Sequence, residues 1–273
     1  MIRLLFSSGL VSTLYVAGVV PWLSIAFSRA VEAEAFAACV CFVWAMYLVD
    51  RLGSHPEDEG GDSASAAADV KKHRPLWIGL LAALIVAELW LIARTPRFGL
   101  SVLVSLLVSI GYVLPLPLLG RRVKEIPYMK ALFLPMSMVV IPATFVDPAA
   151  WPAPERAAPV VAVVWLVLFV NSTLYDLKDV TRDRAAGIKT LAGALRPARF
   201  LALEALVLVV AAALSTTLLH GPSRVVSFAA IAVYAPTLLV LSRRRFDDVM
   251  SSAIDGLHGA LMLVAWAVFA GGA

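Results

Sequence analysis

The segment with the clearest chemical potential is NSTLYDLKDVTRDRAAGIKTLAGAL, which directly follows one of the most apolar runs of the chain. It contains three aspartates, Asp176, Asp179 and Asp183. At about 100° per residue, a helix through them would hold their side chains within roughly 60° of one another. Such a stripe of like charges is costly at a helix C-terminus unless a cation lies among them. The spacing therefore indicates a site for Mg²⁺, which takes oxygen ligands and commonly bridges carboxylates to a phosphate.

An alternative is that these aspartates pair with Lys178, Arg182 and Arg184 on a solvated loop. The three cations lie only one or two residues from the aspartates in sequence. On a helix they would therefore point away from the acidic stripe. The spacing favours a bound cation over local ion pairs.

The elements that must position these aspartates are membrane spans. The 273 residues are 61% hydrophobic and 15% charged, and the mean hydropathy is +0.87, whereas soluble domains carry about 25% charged residues. A span needs about 20 apolar residues, and nine runs are suitable: 4–27, 33–50, 76–93, 98–118, 129–147, 158–177, 200–219, 224–242 and 252–270. The sequence predicts an all-α, polytopic membrane bundle of about nine transmembrane helices.

We interpret residues 1–273 as one domain, because no internal repeat and no phosphate-binding loop motif of soluble nucleotide enzymes is present. The stretch 53–74, rich in Gly, Ser and Ala, is predicted to be a flexible cytoplasmic loop. Cys39 and Cys41 are two residues apart and point to different faces of a helix, so we expect neither a disulfide nor a metal site there.

The Lys and Arg residues set the predicted orientation. If the N-terminus is cytoplasmic, only five of the 23 fall outside: Arg29, Arg94, Arg97, Arg156 and Arg224. By the positive-inside rule we expect a multi-pass protein of a bacterial inner membrane, with its basic face in the cytoplasm. The net charge of +4 then follows from topology and requires no nucleic-acid partner, while the basic face suits anionic headgroups or substrates.

In this topology, the second and sixth spans end at the same surface. The second span ends with WAMYLVDRLG, which contributes Asp50 and Arg51. The loop GRRVKEIPYMK between the fourth and fifth spans contributes Lys124 and Lys130. Carboxylates and cations from distant parts of the chain are thus predicted to converge on one face.

The motif Asp-x-x-x-Asp-x-x-x-Gly-x-x-Thr-Leu, from Asp179 to Leu191, ends an apolar helix and is preceded by Asn171. It resembles the second aspartate-rich motif of the UbiA superfamily of intramembrane prenyltransferases. Nine spans, an inside N-terminus and a basic loop preceded by GYVLPLP are also similar to this family. The family's first motif, Asn-x-x-x-Asp-x-x-x-Asp, is incomplete, because the corresponding positions are Met46, Asp50 and Ser54.

The resemblance implies an enzyme that uses Mg²⁺ to ionise an isoprenoid diphosphate and transfers the prenyl group to a lipophilic acceptor within the bilayer. Diphosphate leaves readily only when Mg²⁺ and Lys or Arg neutralise its charge. The implied metal ligands are Asp50, Asp176, Asp179 and Asp183, of which Asp50, Asp179 and Asp183 are the predicted catalytic residues. The candidate substrate-binding residues are Arg51, Lys124, Lys130, Asn171, Tyr112, Tyr175 and Lys189, and the tyrosines could stabilise an allylic cation through their ring faces.

Two other functions stay open. A terpene cyclase of the same fold would quench the cation with double bonds of the substrate itself. A non-catalytic protein that binds or transports prenyl lipids would explain the lost first-motif positions Met46 and Ser54.

Three more ionisable residues lie within predicted spans. Asp255 and His258 are three residues apart and share a helix face, where they could act as a base for an acceptor or hydrogen-bond across the bundle. Glu88 lies deep in the third span and is predicted to be protonated and to lie between helices.

Overall fold

The structure is a computed structural model that describes residues 9–27, 29–53, 72–113, 120–241 and 248–270. Residues 54–71, which make up most of the predicted loop 53–74, lie outside this description. All helices and turns of the described residues fit an all-α protein, and no β-strand occurs among them.

The described residues form eleven α-helices. In chain order they are α1 (Leu10–Ala17), α2 (Val19–Ala26), α3 (Ala33–Gly53), α4 (Arg74–Arg94), α5 (Arg97–Val113), α6 (Met129–Phe145), α7 (Pro154–Ala185), α8 (Leu191–Ala194), α9 (Pro197–Leu218), α10 (Gly221–Leu241) and α11 (Asp248–Ala270). Short 3₁₀ turns at Val123–Glu125 and Pro148–Ala150 precede α6 and α7.

Nine apolar helical segments of the described chain match the nine predicted spans. Helices α3, α4, α9, α10 and most of α7 are long and apolar enough to cross a membrane, and four shorter apolar segments accompany them. Outward-facing side chains are apolar as well: Val86 is 66% exposed and Val209 is 63% exposed. Surfaces of this kind require lipid rather than water around them. The protein is an integral membrane protein with an all-helical fold, as predicted.

The spans pack in a closed order. Helix α1 packs on α3, α3 on α4, α5 on α6, α6 on α7, α7 on α9, α9 on α10 and α10 on α11. Helix α11 then packs back on α1. Helix α7 therefore has neighbours on several sides, and its polar residues can face different parts of the bundle.

Helix α7 is unusually long for a membrane span. Its 32 residues correspond to about 48 Å at 1.5 Å per residue, against a hydrocarbon core of about 30 Å. The helix ends at Ala185, and Gly187 follows with a φ of +73°, a conformation that glycine adopts without strain. The N–H of Ile188 donates to the carbonyl of Asp183 at 2.8 Å. The polar last turns of α7 therefore extend beyond its apolar part in a well-capped helix.

Glycines bring the first span close to α11. A Cβ atom on Gly18 would lie 3.2 Å from Met262 and 3.1 Å from the carbonyl oxygen of Leu14. A Cβ atom on Gly259 would lie 3.4 Å from the backbone of Leu14. Small residues commonly allow such close approach between membrane helices. This contact places α1 directly against the middle of α11.

Candidate active site

The predicted acidic stripe meets a lysine from the neighbouring helix. The Nζ atom of Lys130 lies 2.8 Å from Oδ1 of Asp176 and 2.9 Å from Oδ2 of Asp183. The side chains are 12%, 2% and 7% exposed, respectively. We call these three residues the Lys130 site. Two buried carboxylates against one ammonium leave a net negative charge.

Local structure explains why Lys130 reaches α7. Helix α6 begins directly after Tyr128, which has a φ of +64°. Lys130 is the second residue of this helix. The N–H of Tyr128 donates to the carbonyl of Lys189 at 2.9 Å. This hydrogen bond ties the start of α6 to the segment that follows α7. Lys130 is therefore held beside the last turns of α7.

Further predicted residues lie around the Lys130 site. Tyr112, at the end of α5, is close enough to interact electrostatically with all three of its members and with Asp50, and its ring stacks on Phe133 with centroids 5.8 Å apart. Asp179 is half-buried and acts electrostatically on Asp176. The ends of α3, α5 and α7 and the start of α6 thus converge, as the topology predicted.

The end of α3 is more open than the Lys130 site. Asp50 is exposed and Arg51 is half-buried. The Nε atom of Arg51 is buried and has no hydrogen-bond partner among the described residues. This guanidinium can therefore accept a further ligand. Lys189 is exposed, and the side chain of Lys124 lies outside the described part of the structure.

The residues of the Lys130 site fit Mg²⁺ by their chemistry. Oδ2 of Asp176 is buried and has no hydrogen-bond partner among the described residues. Within the described chain no group of three or more His, Cys, Asp or Glu residues is arranged to hold a metal. Mg²⁺ usually binds one or two carboxylates and completes its shell with water and substrate phosphates. Asp176 and Asp183 could supply those carboxylates, while Asp50 and Asp179 stay predicted ligands.

A second polar cluster lies on another face of α7. Asp255 of α11 is 1% exposed, and its Oδ2 accepts hydrogen bonds from Tyr175 and, at 2.8 Å, from Ser12. Its Oδ1 accepts from Nδ2 of Asn171 at 3.4 Å. We call these four residues the Asp255 site. Asn171 and Tyr175, predicted to contact substrate, therefore belong to this cluster rather than to the Lys130 site.

The remaining intramembrane ionisable residues have other surroundings. His258 is fully buried, its Nδ1 lies 3.4 Å from the hydroxyl of Tyr234, and its ring packs edge-on against Tyr15. Glu88 is 8% exposed, and neither carboxyl oxygen has a hydrogen-bond partner among the described residues. Glu204, which the sequence analysis missed, is fully buried and accepts a hydrogen bond from Thr173 at 2.9 Å. An acidic residue within an apolar span was the signal that could have identified it.

Comparisons by sequence find no counterpart: no family model matches the chain, and no curated protein matches it. Solved structures do match. A UbiA homologue from Archaeoglobus fulgidus bound to GPP and Mg²⁺ aligns with a TM-score of 0.68 at 14% identity, over 98% of this chain and 99% of that one. A UbiA homologue from Aeropyrum pernix K1 aligns with a TM-score of 0.64 at 17% identity, over 93% and 97%.

A third similar structure comes from work on digeranylgeranylglyceryl phosphate synthase in membranes. It aligns with a TM-score of 0.51 at 12% identity, over 100% of this chain and 99% of that one. All three alignments cover nearly the full length of both chains. The chain therefore has the UbiA fold, as the aspartate motif predicted.

Proposed function

We propose that the protein belongs to the UbiA superfamily and is a membrane prenyltransferase. It would use Mg²⁺ to ionise an isoprenoid diphosphate and transfer the prenyl group to a lipophilic acceptor. The observation that carries this proposal is the Lys130 site. There, two buried carboxylates and an ammonium meet in a fold whose solved members include proteins bound to GPP or DMAPP with Mg²⁺.

The described residues suit the first step of this reaction. Asp176 and Asp183 would hold Mg²⁺, which supplies positive charge to the oxygens of the leaving diphosphate. The ammonium of Lys130 and the guanidinium of Arg51 would bind other phosphate oxygens, and the fork of Arg51 can do so in a bidentate manner. The ring of Tyr112 would face the allylic carbon and stabilise its developing charge. Asp50, Asp179, Lys124 and Lys189 are proposed as further ligands of metal or diphosphate.

We propose that this end of the bundle faces the cytoplasm of a bacterial cell, because most Lys and Arg residues fall there. The test is labelling of single cysteines, Ala194→Cys near α8 and Asp147→Cys after α6, in a chain with Cys39→Ala and Cys41→Ala. Membrane-impermeant maleimide applied to the outside of intact cells should label Asp147→Cys only. Labelling of Ala194→Cys from outside would invert the orientation.

The function is tested by incubating purified protein with Mg²⁺ and GPP or DMAPP, with and without a lipid extract, and by following diphosphate release and labelled products. Release that requires the extract and yields a prenylated lipid supports a transferase. Release with a hydrocarbon product and no added lipid identifies a cyclase. Tight donor binding without release identifies a prenyl-lipid binding or transport protein.

A further inference from the structure

We propose that the Asp255 site binds the polar head of the acceptor and selects a head that donates a hydrogen bond, such as a hydroxyl or amino group on an apolar body. This inference rests on the proposed prenyl transfer. It goes beyond that proposal because it assigns the acceptor to a different face of α7 from the diphosphate.

Asp255 is held without a contacting ammonium or guanidinium among the described residues. Ser12 and Tyr175 donate to its Oδ2, and the amide of Asn171 donates weakly to its Oδ1. Lys178 attracts it electrostatically, with Nζ lying 4.8 Å above the ring of Tyr175. A carboxylate buried among neutral donors remains a strong hydrogen-bond acceptor.

Asn171 is the residue of the Asp255 site whose hydrogen bonding is incomplete. It is 1% exposed, and its Oδ1 has no hydrogen-bond partner among the described residues. Its bond to Asp255 is long, at 3.4 Å, against the usual 2.7 to 3.2 Å. A buried amide oxygen without a donor is unfavourable because it has lost its hydrogen bonds to water. A ligand hydroxyl or amine would supply the missing donor.

The Asp255 site borders the proposed donor site. Ser12, Tyr175 and Tyr47 are each half-buried, so this part of the cluster is less enclosed than Asp255 and Asn171. Tyr47 lies near Ser12 and is close enough to interact electrostatically with Asp50, Arg51 and Asp255. An acceptor head bound between Ser12 and Tyr175 would therefore lie next to the end of α3, where Arg51 is proposed to bind diphosphate.

The chemistry of the cluster defines the ligand class. The oxygen of Asn171 that lacks a partner is an acceptor, and the neighbouring carboxylate of Asp255 is an acceptor as well, so the matching ligand must be a donor. An ether would leave the oxygen of Asn171 without a donor. Selection by an unpaired acceptor is stronger than selection by shape in an apolar pocket.

The experiment compares 4-nonylphenol with 4-nonylanisole, in which a methyl group replaces the hydrogen that the phenol donates. Their dissociation constants are measured with the purified full-length protein in detergent. We expect the wild type to bind the phenol about tenfold more tightly than the anisole, which corresponds to about 1.4 kcal/mol. Equal affinities for the two probes would overturn the proposal.

Three variants test the assignment to these residues. Asp255→Asn and Asn171→Leu should each reduce the affinity ratio to less than about two, with anisole binding unchanged. The control is Glu204→Gln, which also replaces a fully buried carboxyl group with an amide but outside the cluster, and it should keep the wild-type ratio. A wild-type ratio in both test variants, or loss of the ratio in the control as well, would overturn the proposal.

Thermal unfolding of each variant shows whether it folds. If Asp255→Asn does not fold, Asn171→Leu alone tests the assignment. Measuring diphosphate release from GPP as well shows whether the acceptor site or the proposed prenyl transfer is wrong. Probe selectivity without release would refute the prenyltransferase and leave the binding site. Release without probe selectivity would refute the acceptor site alone.

Discussion

The Lys130 site and the Asp255 site lie on one helix, α7, yet they stabilise buried carboxylates in different ways. At the Lys130 site, two carboxylates share one ammonium. At the Asp255 site, one carboxylate accepts hydrogen bonds from neutral groups. The first arrangement depends on full charges, whereas the second depends on the positions of dipoles.

The two sites differ in what they offer a cation, although each carries a single net negative charge when its carboxylates are ionised: the Lys130 site has two carboxylates and the Asp255 site has one. Each unit-charge pair at about 4 Å contributes about 4 kcal/mol at an effective dielectric constant of 20. Two attractions to Lys130 therefore exceed the one repulsion between Asp176 and Asp183, but the net charge stays negative. A second cation is still attracted there. The neutral donors of the Asp255 site instead favour ligands that form hydrogen bonds.

The largest expected effect is on catalysis. Asp183→Ala should slow diphosphate release from GPP by about 10³-fold, or about 4 kcal/mol in the barrier, because one of the two carboxylates proposed to hold Mg²⁺ at the Lys130 site is lost. Folding should survive, since Lys130 keeps its contact with Asp176. Steady-state assays at saturating Mg²⁺ provide the measurement. The control is Asp147→Asn, which changes a carboxylate before α7 at the other end of the bundle. Near-normal release by Asp183→Ala would exclude Asp183 as an essential ligand.

The second effect is on stability. Lys130→Met should lower the free energy of unfolding by about 3 kcal/mol without Mg²⁺, because two buried carboxylates lose their only described cationic partner. Added Mg²⁺ should restore much of this loss by binding between them. Unfolding in detergent with and without Mg²⁺ measures both quantities. The control is Lys72→Met, at an exposed lysine. If Mg²⁺ does not change the stability of Lys130→Met, the Lys130 site does not bind a cation.

The Asp255 site should respond differently. Asp255→Asn should cost about 2 kcal/mol of stability, because hydrogen bonds to a charged group contribute about 1.5 to 3 kcal/mol. Mg²⁺ should leave this loss unchanged, in contrast to Lys130→Met. The same unfolding assay, with and without Mg²⁺, measures this loss of stability, and Glu204→Gln is the control. Recovery of Asp255→Asn by Mg²⁺ would mean that the two sites are not distinct.

The smallest effect concerns the end of α3. Arg51→Lys should weaken use of the donor about tenfold, or about 1.4 kcal/mol, because lysine keeps the charge but loses the planar fork. The measurement is the KM of Arg51→Lys for GPP at a fixed Mg²⁺ concentration, which should rise about tenfold. Arg74→Lys, at the exposed start of α4, should behave as the wild type. If both variants match the wild type, Arg51 does not bind the diphosphate.

The sequence predicted the fold well because membrane spans follow from length and hydropathy alone. The end of α7 could also be predicted, since Gly187 and Thr190 have local roles that a motif records: Gly187 takes the left-handed turn, and Thr190 accepts from the N–H of Gly193 at 3.1 Å. Residues of this kind depend on their neighbours in the chain.

The partners across helices could not be predicted in the same way. The sequence indicated Lys130 as a diphosphate ligand but not its contacts with Asp176 and Asp183, because those contacts depend on the relative rotation of α6 and α7. The hydrogen bonds of Asp255 depend likewise on the close approach of α1 and α11 at Gly18 and Gly259. Hydropathy contains no information about such rotations, so the spacing of residues indicated the candidates but not their partners.

The hydrogen bond from Tyr128 to Lys189 has a consequence for the membrane around the protein. Bilayers that are too thick or too thin for a protein tilt its helices or make them slide against each other. The ends of α6 and α7 are joined directly at the Lys130 site, so its geometry should persist across lipids of different acyl-chain length. The Asp255 site depends on side-chain contacts between helices from opposite ends of the sequence, which share no backbone hydrogen bond among the described residues, so lipid thickness should alter acceptor binding before it alters donor ionisation.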